Sequence, residues 1–150
     1  MNAKAMLLTV LFCVLVLGGC AGRAGVGSSF VGQIPSEGID PIVQDATNQL
    51  VELYPPGRTS IKLLAPEHSA SFSQCFENNL RKQGFTLSPR GEVVISYVLD
   101  ALRGVTPSVW YLQLRIIDHS RTMTLARSYT ADGKAVAGFS CLKSGGDSNE

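Results

Sequence analysis

An α+β two-layer sandwich is the fold this sequence predicts: a mainly antiparallel sheet with two helices on one face, in the order α-β-α-β-β-β-β. Three observations predict it. Apolar residues recur at helical spacing in two early stretches. Alternating or β-branched stretches, separated by turn signals, fill the second half. No repeat or shift in composition divides residues 38–143, and a chain of 150 residues leaves room for one domain.

The first helix opens at Asp40-Pro41, because Asp is a good N-cap and Pro is favoured at the first helical position. Ile42, Val43, Ala46, Leu50, Leu53 and Tyr54 then recur on one face, and Pro55-Pro56-Gly57 ends the run. Arg58 to Leu64 is short and β-prone between Gly57 and Pro66, so a strand is expected there. The second helix runs from about Ser69 to Gln83 with Phe72, Phe76 and Leu80 as its apolar spine. Gly84 supplies the left-handed residue that closes it. Phe85-Thr86-Leu87 is a brief strand before the turn at Ser88–Gly91.

Glu92 to Leu102 contains VVISYVL, rich in β-branched residues. Val109 to Ile117 alternates, with Trp110, Leu112, Leu114 and Ile116 on one face. Thr122 to Thr130 alternates again, with Met123, Leu125, Arg127 and Tyr129 on one side. Asp132-Gly133 is a strong hairpin signal leading into a strand over Ala135 to Leu142. The domain thus occupies residues 39–143, and the polar stretch 144–150 reads as a disordered tail.

What precedes the domain is of a different kind. Met1 to Lys4 carries one positive charge, and Ala5 to Leu17 is an uninterrupted apolar run of signal-peptide length. An uncleaved spanning helix needs roughly 20 apolar residues, so Gly18, Gly19 and Cys20 would have to be counted in. Leu17-Gly18-Gly19-Cys20 resembles instead the lipobox of bacterial lipoproteins: a branched aliphatic residue, two small residues, then Cys. The thiol accepts a diacylglyceryl thioether, and the small residues let a peptidase reach the bond before Cys20. Residues 1–19 are therefore expected to be removed, leaving Cys20 acylated. Such an anchor holds at about 0.8 kcal/mol per buried methylene. Ala21 stands where Asp commonly retains lipoproteins in the inner membrane, so the destination is the periplasmic face of the outer membrane. Residues 20–38, rich in Gly, Ser and Ala, read as a flexible tether; the alternative, an ordered strand around Phe30–Ile34, is disfavoured by the glycines on either side.

The full chain has 13 basic and 12 acidic residues. Losing residues 1–19 removes only Lys4, which leaves 12 against 12 and a net charge of zero. A neutral surface argues against nucleic acid as a direct partner. Of the cysteines beyond Cys20, Cys75 and Cys141 face an oxidising compartment. A bridge between them would close a loop of about 65 residues, worth at most roughly 4 kcal/mol; two unpaired, buried thiols are the alternative. The isolated His68 and His119 form no metal-binding spacing.

No phosphate loop, nucleophile elbow or zinc-binding His pair occurs, so no cofactor, metal or small-molecule substrate is expected, and no enzyme. Asp100 and Asp118 sit at strand ends, where Asp is ordinarily a turn residue. Ser96, Ser108, Ser120 and Ser128 lack a His, apart from His119 beside Ser120. Arg127 and Tyr129, two residues apart on one strand face, read first as a cation stacked on or beside a ring. Their second reading is a partner-binding pair.

Several features together resemble the TrbH family, the small lipoprotein of plasmid conjugal transfer systems. They are Phe72…Leu80…Gly84-Phe85, the strand Tyr97-Val98-Leu99-Asp100, and Leu125-Ala126-Arg127-Ser128-Tyr129-Thr130 with Gly133 behind it. Their order behind the lipobox carries the match over about residues 40–143. The resemblance implies an outer-membrane-anchored structural component of a mating-pair-formation (type IV secretion) apparatus, whose partners are other proteins of that apparatus. It maps no motif onto Cys75 or Cys141. The competing reading is another periplasmic accessory lipoprotein, such as an activator of a cell-wall synthase or an accessory subunit of a transporter.

Overall fold

The computed structural model describes residues 27–66, 71–106 and 108–144. The signal segment, residues 20–26 of the tether, His68 and the tail from residue 145 lie outside them. The elements are β1 (Phe30–Val31), α1 (Ser36–Leu53), β2 (Ser60–Leu63), α2 (Ser71–Lys82), β3 (Thr86–Leu87), β4 (Val93–Ala101), β5 (Val109–Ile117), β6 (Thr122–Thr130) and β7 (Ser140–Ser144). They form an α+β sandwich. One sheet runs in the order β3-β2-β4-β5-β6-β7, with β1 also beside β4. β4 to β7 pair antiparallel, whereas β1 and β2 run parallel to β4, and β3 parallel to β2.

Alternation on the three long strands builds the core. Ile95, Tyr97 and Leu99 of β4 lie opposite Ile116, Leu114 and Leu112 of β5. Leu114 and Ile116 in turn face Leu125 and Met123 of β6. All are buried against the two helices. Ile42, Val43, Ala46 and Leu50 of α1 and Phe72, Phe76 and Leu80 of α2 complete the interior. Phe76 meets the Tyr97 ring edge-on at 5.5 Å, and Phe72 lies 5.7 Å from it, both favourable aromatic separations. The Tyr97 hydroxyl donates to Ser73 Oγ at 2.8 Å, so this buried phenol is satisfied.

Local signals placed several boundaries. β5 and β6 match the alternating stretches residue for residue. α2 ends as expected: Gly84 has φ +93°, and the Phe85 amide reaches back to the Leu80 carbonyl at 3.0 Å.

Three expectations are corrected. The stretch expected to be a tether through Gly38 joins the sheet early, since Phe30 and Val31 pair with Val98 and Leu99. Ser29 makes that possible: its hydroxyl accepts the Tyr97 amide at 2.9 Å and donates to the Leu64 carbonyl. It thereby joins the ends of β2 and β1 along the same side of β4. Secondly, α1 begins at Ser36, with Pro41 inside it. Pro41 removes only one bond near the helix start, to the Glu37 carbonyl. The extra turn is held by burial of Gly38 and Ile39.

Thirdly, β7 begins at Ser140 instead of Ala135. Ala135 makes only an isolated bridge to Tyr129, whereas Ser140 lies opposite Ala126. Continuing the first register would put residue 138 opposite Ala126 (129 − 126 = 3; 135 + 3 = 138), so two residues are bulged into the returning strand. Arg127 accounts for the bulge, because its Nε–H donates to the Ala137 carbonyl and its guanidinium lies 4.8 Å from the Phe139 ring.

The start of α1 touches the β6–β7 turn closely. A Cβ at Gly133 would stand 2.7 Å from the Gly38 carbonyl oxygen, whereas one at Gly104 would meet nothing within 4 Å. Both glycines have positive φ, +81° and +78°. Gly104→Ala should cost about 1–2 kcal/mol from the left-handed conformation alone. Gly133→Ala should cost more, because the helix must also move. Urea midpoints of the two variants check this; equal losses would mean that the contact contributes nothing.

Candidate functional site

The pair singled out from sequence, Arg127 and Tyr129, converges on a residue that sequence reasoning missed. Both lie on the helix-facing side of β6, and both bond to Asp45 of α1. Arg127 Nη1 lies 2.9 Å from each Asp45 carboxylate oxygen, and the Tyr129 hydroxyl donates to Asp45 Oδ2 at 2.7 Å. Arg127 does stack on a ring, but the ring is that of Phe139. Burial, and then the carboxylate that it serves, push the Tyr129 phenol far above its ordinary pKa. Asp45 was detectable in principle, as a lone acid beside the apolar stripe Ile42–Ala46. Nothing local, however, shows what lies across from it.

A second clasp holds the other end of α1. Tyr54, just past the helix, donates to Asp118 Oδ2 at 2.8 Å, and Asp118 also takes Arg121 Nε at 3.2 Å. Burial opposes the charge of Asp118. The Ser120 amide, the Tyr54 and Ser120 hydroxyls and the Arg121 amide outweigh it and hold the carboxyl well below the usual range. Burial and Asp118 together push the Tyr54 phenol up to about 12.

The other candidates are not brought together. Asp100 lies opposite Tyr111, six residues along β4 from Val94, which faces Ile117 beside Asp118. That separates the two carboxylates by about 20 Å. His119 stays in the turn with Asp118. Cys75 and Cys141 are free thiols. Cys75 is on α2, where Phe72 and Phe76 cover β4; Cys141 is on β7, three strands further, about 14 Å away. A bridge needs Cα atoms within about 7 Å. The Cys75 thiol donates to Asp40 at 3.0 Å, and burial, with that carboxylate, raises its pKa to about 11. It is therefore protonated at neutral pH and a poor nucleophile. Among the described residues no cluster of three or more His, Cys, Asp or Glu could hold a metal. No described helix is long and apolar enough to cross a membrane.

The remaining sheet surface, in which only Ser96 and Ala126 of the residues named next are buried, is suited to contact. The sheet face opposite the helices carries cross-strand rows: Ser96–Arg115–Thr124–Leu142, Phe30–Val98–Gln113–Ala126–Ser140 and Asp100–Tyr111–Ser128. Arg115 and Asp100 are the only charges in these rows. β7 is the outermost strand, exposed at all five residues, with Leu142 71% exposed. Its outer row of amides and carbonyls is the kind of edge to which another strand adds.

The profile of the family described as conjugal transfer protein TrbH matches residues 24–144. No curated protein and no solved structure matches the chain.

If Arg127 and Asp45 hold α1 to the sheet, a double-mutant cycle of Arg127→Ala and Asp45→Ala in urea should give a coupling of about 1–3 kcal/mol. Arg127→Lys should not restore it, because an ammonium cannot serve Asp45 and the Ala137 carbonyl together. No coupling would leave the pair free for a partner. The Asp118 contribution to stability is fully present above its unfolded-state pKa of about 3.9 and is lost as pH falls through the depressed folded value. Asp118→Asn should therefore be less stable at neutral pH and unfold with a shallower acid dependence; parallel acid-unfolding curves would count against the clasp.

Proposed function

We propose that this chain, which belongs to the TrbH family of conjugal transfer proteins, is an outer-membrane lipoprotein that anchors part of a DNA-transfer apparatus by protein–protein contact. The observation that carries this reading is the family match over residues 24–144, which takes in the whole described domain. The Leu17-Gly18-Gly19-Cys20 sequence supports acylation at Cys20, and Ala21 supports export onward to the outer membrane. The domain begins directly behind that anchor.

The physics of the domain favours a passive role. Asp45 and Asp118 are engaged in helix clasps, Asp100 lies far from Asp118, and the half-buried Cys75 thiol is held protonated beside Asp40, while Cys141 is exposed. The exposed edge of β7 suits strand addition by a larger component, in which main-chain bonds supply affinity and Leu142 and its neighbours supply specificity. Arg127 and Tyr129 contribute indirectly, by holding the segment that leads into that edge. The lipid fixes the domain at the membrane, and the edge captures the apparatus.

In cells, Cys20→Ser should abolish palmitate labelling and release the protein from the outer-membrane fraction, with loss of conjugal transfer. A variant that still labels and fractionates unchanged would sink the lipid anchor. Lys143→Pro removes an outward-facing edge amide, since the register turns the Leu142 and Ser144 amides toward β6, while β6 stays paired to β5. It should keep the anchor but lose co-purification of other transfer proteins, and undiminished capture would exclude the β7 edge.

A further inference from the structure

The position of Gly27 constrains how the domain can sit on a membrane. Cys20 and Gly27 are seven Cα steps apart (27 − 20), which even fully extended span at most about 25 Å. Gly27 and Ser28 do not leave from the helix side. They line a shallow cleft on the open sheet face with Ser96, Val98, Gln113 and Arg115, and a Cβ on Gly27 would touch Ser96 Oγ at 3.7 Å. The strap behind them is firmly bonded: Ser29 to Tyr97 and Leu64, and the Gly32 amide to the Leu99 carbonyl at 2.7 Å. Bringing the helix face to the bilayer would require this short leash to round the sheet edge and pass both layers. The helix layer alone is about 10 Å thick, so almost no slack would remain.

The surface beside the exit point suits a lipid interface. Phe30 and Val98 are paired across β1 and β4 and are 52% and 37% exposed. Arg115 lines the same cleft as Val98, and its guanidinium suits a phosphate oxygen. We infer that the open sheet face around Phe30, Val98 and Arg115 rests on the membrane surface, with Phe30 entering the acyl–headgroup boundary and Arg115 meeting lipid phosphate. The inference rests on acylation at Cys20. One apolar pair and one cation would bind lipid weakly alone; the anchor makes the contact intramolecular and raises its effective concentration. The helix face and the β7 edge are left free for protein partners.

The test uses the acylated full chain reconstituted into vesicles of brominated phosphatidylcholine with phosphatidylglycerol. Bromine quenches only nearby indoles, and the native Trp110, 7% exposed within the core, supplies the background. Phe30→Trp should add emission that is blue-shifted and mostly quenched by the brominated chains. Asn48→Trp, on the exposed side of α1, should add emission that is not quenched. Arg115→Glu should weaken quenching in the Phe30→Trp protein. Equal quenching at the two sites, or none at residue 30 in protein that floats with the vesicles, would overturn the inference. So would a blue shift that needs no vesicles and grows with protein concentration, which would assign the face to a second copy. Acylated chain that fails to float would instead refute the anchor itself, so the two failures are distinguishable.

Discussion

The helices stay on the sheet because β4, β5 and β6 present one unbroken apolar face. Side chains alternate with a period of two, so odd positions on β4 and β6 and even positions on β5 all point the same way. Shifting β5 by one residue would exchange Leu112, Leu114 and Ile116 for Gln113 and Arg115 in the core. Register is therefore set by the hydrophobic pattern, and it fixes where the two helices must lie. Each fully buried Leu, Ile or Phe adds about 1.5–3 kcal/mol, far more than any single polar contact described above.

Apolar burial alone does not orient a helix. α1 is positioned at three places along its length: at its start by close packing of Gly38 on the β6–β7 turn, in its middle by Asp45, and just beyond its end by Tyr54 on Asp118. All three contacts lie toward the β5–β6 side of the sheet, and each uses a partner far away in sequence. The Asp45 contact also shapes the next strand. By drawing Arg127 to the helix side, it places the guanidinium where Ala137 and Phe139 gather round it, and the two-residue bulge follows. One ion pair thus connects the seating of a helix to the starting point of the exposed edge.

Among the described residues, Asp100 lies far from Asp118 and His119, and no three of the carboxylates, imidazole and thiols cluster where a metal could bind. The domain is divided by surface instead. The helix layer is clasped to the sheet, the outer strand is open for pairing, and the bare sheet face receives Gly27 and Ser28. Because β1 is part of the sheet, only six residues would separate Gly27 from the proposed lipid anchor at Cys20. On that proposal, orientation at the membrane is a property of the fold.

By itself, the sequence determined what local patterns encode. The lipobox resemblance, the α+β class, the limits of β5 and β6 and the Gly84 stop of α2 all follow from spacing, turn chemistry or a residue type with one use. The family resemblance was legible too, from short motifs in order. Tertiary structure alone decided the rest. The Gly-rich context of Phe30–Val31 hides a strand that exists only because Ser29 can bridge Tyr97 and Leu64. Asp45 looks like an ordinary helix-flank acid until Arg127 and Tyr129 are across from it. β7 starts late because a side chain on the neighbouring strand claims Ala137. Cys75 and Cys141 stay apart because helix packing and strand order separate them. In every case the deciding partner lies many residues away, where periodicity and propensity carry no information.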